Sequence, residues 1–133
     1  MASIFTKIIN REIPGYIVAE DDRNIAFLDI MPLVKGHLLV VPKVEVDYIF
    51  DLEEQDYADL MRFAKKVAIA QEKVINCTRI GVAVIGLEVP HVHIHLVPLR
   101  TMADIDFSRP KLKLDAEAMQ EIAAKIKSAF DNG

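Results

Sequence analysis

Three of the four histidines in the chain, His91, His93 and His95, stand at alternate positions, with Val92, Ile94 and Leu96 between and after them. Strict alternation of this kind marks a strand with two unlike faces. Successive strand side chains point to opposite sides, so the three imidazoles share one face and the three aliphatic residues the other. The aliphatic face must look into a core, and the imidazole face is left for chemistry. A solvated strand could carry one histidine by chance; three in one register make chance a poor account. One chemical reading is a metal site, because neutral imidazole is the commonest transition-metal ligand. Same-face neighbours lie about 6.6 Å apart and the outer pair about 13 Å apart, so three-fold ligation from this strand alone is difficult, and a fourth histidine or a carboxylate would have to close the shell. The other reading is nucleophilic catalysis at phosphorus. One imidazole attacks as the neutral base with its second nitrogen fixed by a carbonyl, while another, protonated, neutralises developing charge or protonates the departing group.

The surrounding chain must hold that strand still. At 133 residues, with 52% hydrophobic residues and both charge signs interspersed, the sequence fits one folded domain spanning residues 1–133. A net charge of −4 gives no field that would draw nucleic acid, and no apolar run approaches membrane-spanning length. A single cysteine, Cys77, excludes an internal disulfide; with no leader pattern in Met1-Ala2-Ser3-Ile4-Phe5, a cytoplasmic location is expected. A short helical piece at 4–9 is broken at Glu12-Ile13-Pro14-Gly15. Strands are expected at 16–20, 25–30, 37–42, 79–85 and through the histidines. The near-continuous apolar run His37–Pro42 suggests a central strand covered on both faces. Asp51 and Glu54 read as a capping pair for an amphipathic helix of about twenty residues that stops at Asn76 in the left-handed conformation. A last helix begins near Asp115, with Met119, Ile122, Ala123, Ile126 and Phe130 as its stripe. The fold class is α+β, with short hairpin connections favouring an antiparallel sheet.

The run His91-Val92-His93-Ile94-His95-Leu96-Val97 resembles the signature of the histidine triad superfamily, His-φ-His-φ-His-φ-φ with φ apolar. Ile4–Ile9 with Glu12-Ile13-Pro14, Phe27–Ile30 and Lys35–Lys43 resemble that family's opening and its next two strands. The resemblance implies a five-stranded antiparallel sheet with one long central helix and a C-terminal helix. It also implies a nucleotide-binding hydrolase that cleaves a nucleoside monophosphate, with an AMP or GMP moiety, from a phosphoramidate or dinucleoside polyphosphate. By position, His93 is the nucleophile and His95 contacts phosphate oxygens. His91 sits near the leaving group and offers its carbonyl to His93, and His37 supports the triad. Asp29 matches the ribose-binding carboxylate, Phe5, Ile13, Phe27 and Ile30 fall at the purine slot, and Gly86 lies in the connection before the triad. Histidine at position 95, where a transferase branch has glutamine, favours hydrolysis. A homodimer is expected, with no cofactor and no nucleic-acid or membrane partner.

Two departures stand out. Relatives often carry Gly-Gln or Gly-Gln-Ser before the triad, where this chain has Gly86-Leu87-Glu88-Val89-Pro90. Leu87 cannot donate a hydrogen bond, and Glu88 repels phosphate unless it faces away or meets a cationic leaving group. The alternative is therefore a catalytically weak nucleotide-binding or protein-interaction module. Many bacterial relatives also bind structural zinc through an N-terminal Cys-x-x-Cys. Ser3 and Thr6 occupy those positions here, so no metal is expected.

Overall fold

A stretch that is apolar on both sides belongs in the middle of a sheet, and Leu38–Pro42 lies there. The computed structural model describes residues 2–133; Met1, where the reading of the N-terminal segment begins, lies outside the described residues. Five strands form one antiparallel sheet: β1 (Ile17–Glu20), β2 (Asn24–Leu28), β3 (Leu38–Pro42), β4 (Arg79–Ala83) and β5 (Ile94–Leu99), in spatial order β1-β2-β3-β5-β4. Every residue of β2 and β3 is buried. Helices α1 (Ile4–Ile9), α2 (Glu54–Val74) and α3 (Ala116–Asp131) complete an α+β fold, with single 3-10 turns at Ile49–Asp51 and Met102–Ile105. Among the described residues no helix is long and apolar enough to cross a membrane.

The sheet separates two apolar clusters. On one face Leu38, Val40, Ile94 and Leu96 pack with Leu60, Phe63 and Val67 of α2 and with Met119, Ile122 and Ile126 of α3. On the other, Ile25, Phe27, Leu39 and Val41 pack with Phe5 and Ile8 of α1. Ile94 and Leu96 are 0% and 1% exposed, and burying each is worth roughly 1.5–3 kcal/mol. A one-residue slip of β5 would exchange them with imidazoles and forfeit that burial, so the core dictates which way the histidines face. Gln71 of α2 adds a polar pin: its Nε2 donates to Gly36 O and Leu96 O, both at 2.9 Å, beside His37 and His95. Gly36 has φ +89° and lies so close to Ile75 that a Cβ would stand 2.7 Å from its Cγ1, which requires glycine on both counts.

Several expected boundaries move. The histidine strand enters the ladder only at Ile94, because β3 pairs with β5 no further than Val40↔Ile94. Beyond that point the ring of His91 takes the Pro42 carbonyl and Val92 N–H donates to Val46 O, replacing ladder bonds. Strand β2 stops at Leu28 because the Asp29 carboxylate accepts Met31 N–H and turns the chain; β4 likewise stops at Ala83, leaving Val84 and Ile85 in the connection. Asp51 does not cap α2. It closes the 3-10 turn between buried Ile49 and Leu52, and the helix starts after Glu53, which makes no side-chain cap bond. Asn76 is not left-handed: α2 ends at Ile75 in extended backbone, and Arg11 is the one non-glycine with positive φ among the described residues. That Arg11 turn ends α1 ahead of Pro14.

Candidate functional site

Backbone groups have invariant hydrogen-bond roles, so each backbone partner of an imidazole assigns its tautomer. Nε2 of His91 lies 2.7 Å from Pro42 O and must donate to it. Burial holds the His91 pKa below its ordinary value, opposed by the Pro42 carbonyl and Glu45, so the ring is neutral and Nδ1 accepts. The hydroxyl of Ser3, 2.7 Å away, donates to that Nδ1. Ser3 also caps α1, its Oγ accepting Thr6 N–H at 3.0 Å. Glu45 Oε1 closes the cluster by accepting Ser3 N–H at 2.7 Å and the Thr6 hydroxyl at 2.6 Å. With 0% exposure and both nitrogens engaged, His91 has nothing left for a leaving group. What His91 turns toward the rest of the row is its carbonyl, the contact expected of it.

That carbonyl accepts from Nδ1 of His93 at 2.8 Å, which places the His93 proton on Nδ1 and leaves the Nε2 lone pair bare. The edge of Phe5 packs against this ring at 4.9 Å between centroids. The opposite end follows the same logic. Leu33 N–H donates to Nδ1 of His37 at 3.0 Å, so Nε2 of His37 carries the hydrogen and donates to Nδ1 of His95 at 3.0 Å. The remaining hydrogen of His95 then sits on Nε2. A nucleophilic lone pair and an N–H donor therefore stand on neighbouring same-face residues whose rings lie 5.0 Å apart. Burial, the largest cause, pushes His37 down to about 3 and His95 down to about 4, with His93, Lys111 and, for His37, also His95 adding repulsion of positive charge. Neither ring is an imidazolium near pH 7 in the free protein. His95 offers a hydrogen bond without a charge.

Asp29 is partly buried beside this end, with Oδ2 at 3.7 Å from Nε2 of His37. Since His37 is neutral wherever Asp29 is ionised, the contact is not an ion pair. Burial raises the Asp29 pKa, against the pull of Met31 N–H, His93 and Lys111. Phe5 and Phe27 are buried and tilted against each other at 5.6 Å, and Ile13 packs on the same cluster. Ile30 does not join them; it is 67% exposed, since the turn at Asp29 carries it away from the sheet. Gly86 has φ +72°, a conformation that favours glycine, while a Cβ there would make only an ordinary contact with Asp47 O at 3.9 Å. Sequence reasoning missed Leu33, Glu45, Phe107 and Lys111. Phe107 stands edge-on to His95 at 4.7 Å and to His37 at 6.3 Å. No local pattern announces such contacts.

Donor atoms of Asp29, His37 and His95 all lie within 4.8 Å of one another, close enough in principle to share a metal ion. The tautomers oppose it, because Nε2 of His37 already carries the hydrogen that Leu33 forces onto it. Nor do Ser3, Thr6, Glu45 and His91 fit zinc. Zinc favours thiolate and imidazole ligands, whereas two of these residues are neutral hydroxyls, and the 2.7 Å contact from Ser3 to His91 is a hydrogen bond. A cavity of about 560 Å³ opens elsewhere, between the ends of α2 and β5 and α3, beside Cys77 and Arg100, and no histidine lines it.

Residues 10–102 match the HIT domain family. Over 100 residues the chain is 38% identical to adenosine 5'-monophosphoramidase of Saccharomyces cerevisiae, covering 74% of this chain and 63% of that one. It is 37% identical over 105 residues to purine nucleoside phosphoramidase of Escherichia coli, covering 71% and 85%. A crystal structure of a Hit-like protein involved in cell-cycle regulation from Bartonella henselae superposes with a TM-score of 0.83 at 32% identity, over 96% of this chain and 95% of that one.

Proposed function

The chain belongs to the HIT domain family, and from that premise we propose that it is a nucleotide hydrolase acting through a covalent nucleotidyl intermediate on His93. The observation that carries the reading is the pair of assigned tautomers: a free lone pair on Nε2 of His93 beside an N–H on Nε2 of His95. In the first step the His93 lone pair attacks the α-phosphorus, and the bond from phosphorus to the leaving group breaks. The leaving group departs with the electron pair and is protonated by water. Nδ1–H of His93 stays on the His91 carbonyl, which stabilises the imidazolium formed when Nε2 bonds to phosphorus. The His95 N–H binds a phosphoryl oxygen as its charge grows. Water then attacks phosphorus and gives up a proton to the solvent, replacing the one the leaving group took, while the P–N bond breaks with its electron pair returning to Nε2 and a nucleoside monophosphate is released.

Names of the relatives favour a purine nucleoside phosphoramidate as substrate. Asp29 is the acceptor for ribose hydroxyls, and the cluster of Phe5, Ile13 and Phe27 backs the base. On the same reading, a second copy joins along edge strand β4, where Val82 is 58% exposed and Val84, Ile85 and Leu87 follow it exposed. One observation favours the weaker-catalyst reading: Leu87 and Glu88 are exposed where the site would need donors, and the Glu88 charge reaches Asp29. Assaying release of adenylate from adenosine phosphoramidate decides between them. Wild-type turnover that disappears in folded His93→Ala supports the hydrolase, whereas adenylate binding without turnover across nucleotide amidates and esters selects the binding module.

A further inference from the structure

Phe5 closes one side of the imidazole row; the stretch after β5 closes the other. The ring of Phe107 packs edge-on against His95 and His37. Leu112 N–H donates to Pro32 O at 2.8 Å, fastening this stretch to the loop that carries Asp29 and His37. Between those two anchors lies Lys111. Its Nζ donates to Phe107 O at 2.7 Å and to Arg109 O at 3.2 Å. An ammonium has three N–H groups, so one remains uncommitted. None of the ion pairs among the described residues involves Lys111. Its charge nevertheless acts on Asp29, His37 and His95. A cation is thus held beside the imidazoles by carbonyls that do not neutralise it, next to two rings that carry no charge of their own.

We propose that Lys111 is the phosphate-recognising cation of this site, and that residues 106–112 form the wall that carries it to the α-phosphoryl oxygens of a nucleoside 5'-monophosphate or its amidate. This rests on the nucleotide-hydrolase reading and adds to it the source of positive charge. A lysine suits the task, since its compact charge on a flexible stem can turn from a carbonyl to a phosphoryl oxygen without disturbing the wall. It also offsets Glu88, whose charge reaches the same carboxylate, Asp29, with the opposite sign.

The test compares AMP with adenosine in calorimetric titrations of wild type, Lys111→Met and Lys111→Arg. Lys111→Met should weaken AMP about 10- to 100-fold, the range for losing a charge-assisted hydrogen bond, and leave adenosine unchanged. Lys111→Arg should restore most of the difference, and the salt dependence of AMP binding should flatten in Lys111→Met. Equal losses for AMP and adenosine would make the residue merely structural and overturn the proposal, as would unaltered AMP binding. If wild type binds no AMP, the nucleotide reading falls and takes Lys111 with it. If wild type binds AMP and only the Lys111 contrast fails, the nucleotide reading stands.

Discussion

At the His91 end of the imidazole row, Nε2 is committed to the Pro42 carbonyl, Nδ1 to the Ser3 hydroxyl, and Glu45 ties Ser3 and Thr6 into the same knot. At the His95 end one nitrogen is committed, through His37 to the Leu33 amide, and the other is left as a donor. The residue type and the degree of burial are alike. What differs is how many ring nitrogens the protein itself uses, and that decides which imidazole is framework and which is reagent. His93 stands between them with one nitrogen engaged and a lone pair to spend.

The contrast is broken most severely by comparing His93→Ala with His91→Ala. The first should cost at least ~10³-fold in turnover, as expected for removing a nucleophile, with a smaller loss of stability than the second, because it strands one protein partner, the His91 carbonyl, rather than two. The second should destabilise by about 3 kcal/mol, since it strands the Pro42 carbonyl and the Ser3 hydroxyl around a buried void. Urea unfolding beside the turnover assay reads both; a catalytic loss in His91→Ala without any stability loss would erase the distinction.

The second prediction concerns pH. Folded His37 and His95 titrate near 3 and 4, and unfolded histidine near 6.5. Between those values the unfolded chain holds more protons, so stability rises with pH through the window and is lost as pH falls below about 6.5. Each group contributes roughly 1.4 kcal/mol per pH unit well inside the window. Urea midpoints between pH 7 and 5 should drop accordingly, and the slope should shallow in His95→Asn; a flat profile would mean the rings are not buried neutral. A smaller effect sharpens the His91 end. Ser3→Ala removes both the helix cap and the Nδ1 donor and should cost about 1–2 kcal/mol, while turnover falls far less than in His93→Ala. The least is expected from Ile30→Ala, whose side chain projects into solvent, so thermal unfolding should move by no more than about 0.5 kcal/mol.

Alternation and apolar runs made the sheet legible: the facing of His91, His93 and His95 follows from Val92, Ile94 and Leu96, and the central place of β3 from its two apolar sides. Boundaries were less legible where a side chain takes a backbone group locally. The Asp29 carboxylate ended β2 early, and the pull of Ile49 and Leu52 into the core turned an apparent helix cap at Asp51 into a 3-10 turn. Within the candidate site, alternation singled out His91, His93 and His95, whereas His37 and Asp29 were reached only through the resemblance to the histidine triad pattern. The tautomers of the histidines were not legible, since these depend on partners as distant in sequence as Ser3 from His91 or His37 from His95. Phe107 and Lys111 were invisible for a related reason: they lie in an irregular polar stretch where no periodicity says which side chain turns inward.

The central claim is a transient bond between Nε2 of His93 and phosphorus. Rapid acid-free quenching of the protein with adenosine phosphoramidate, followed by intact-mass and peptide mapping, tests it directly. One adenylyl group should appear on His93 early in turnover and be absent from His93→Ala. Turnover through single-cycle conditions with no adduct at any time, or an adduct mapped to another residue, would contradict it.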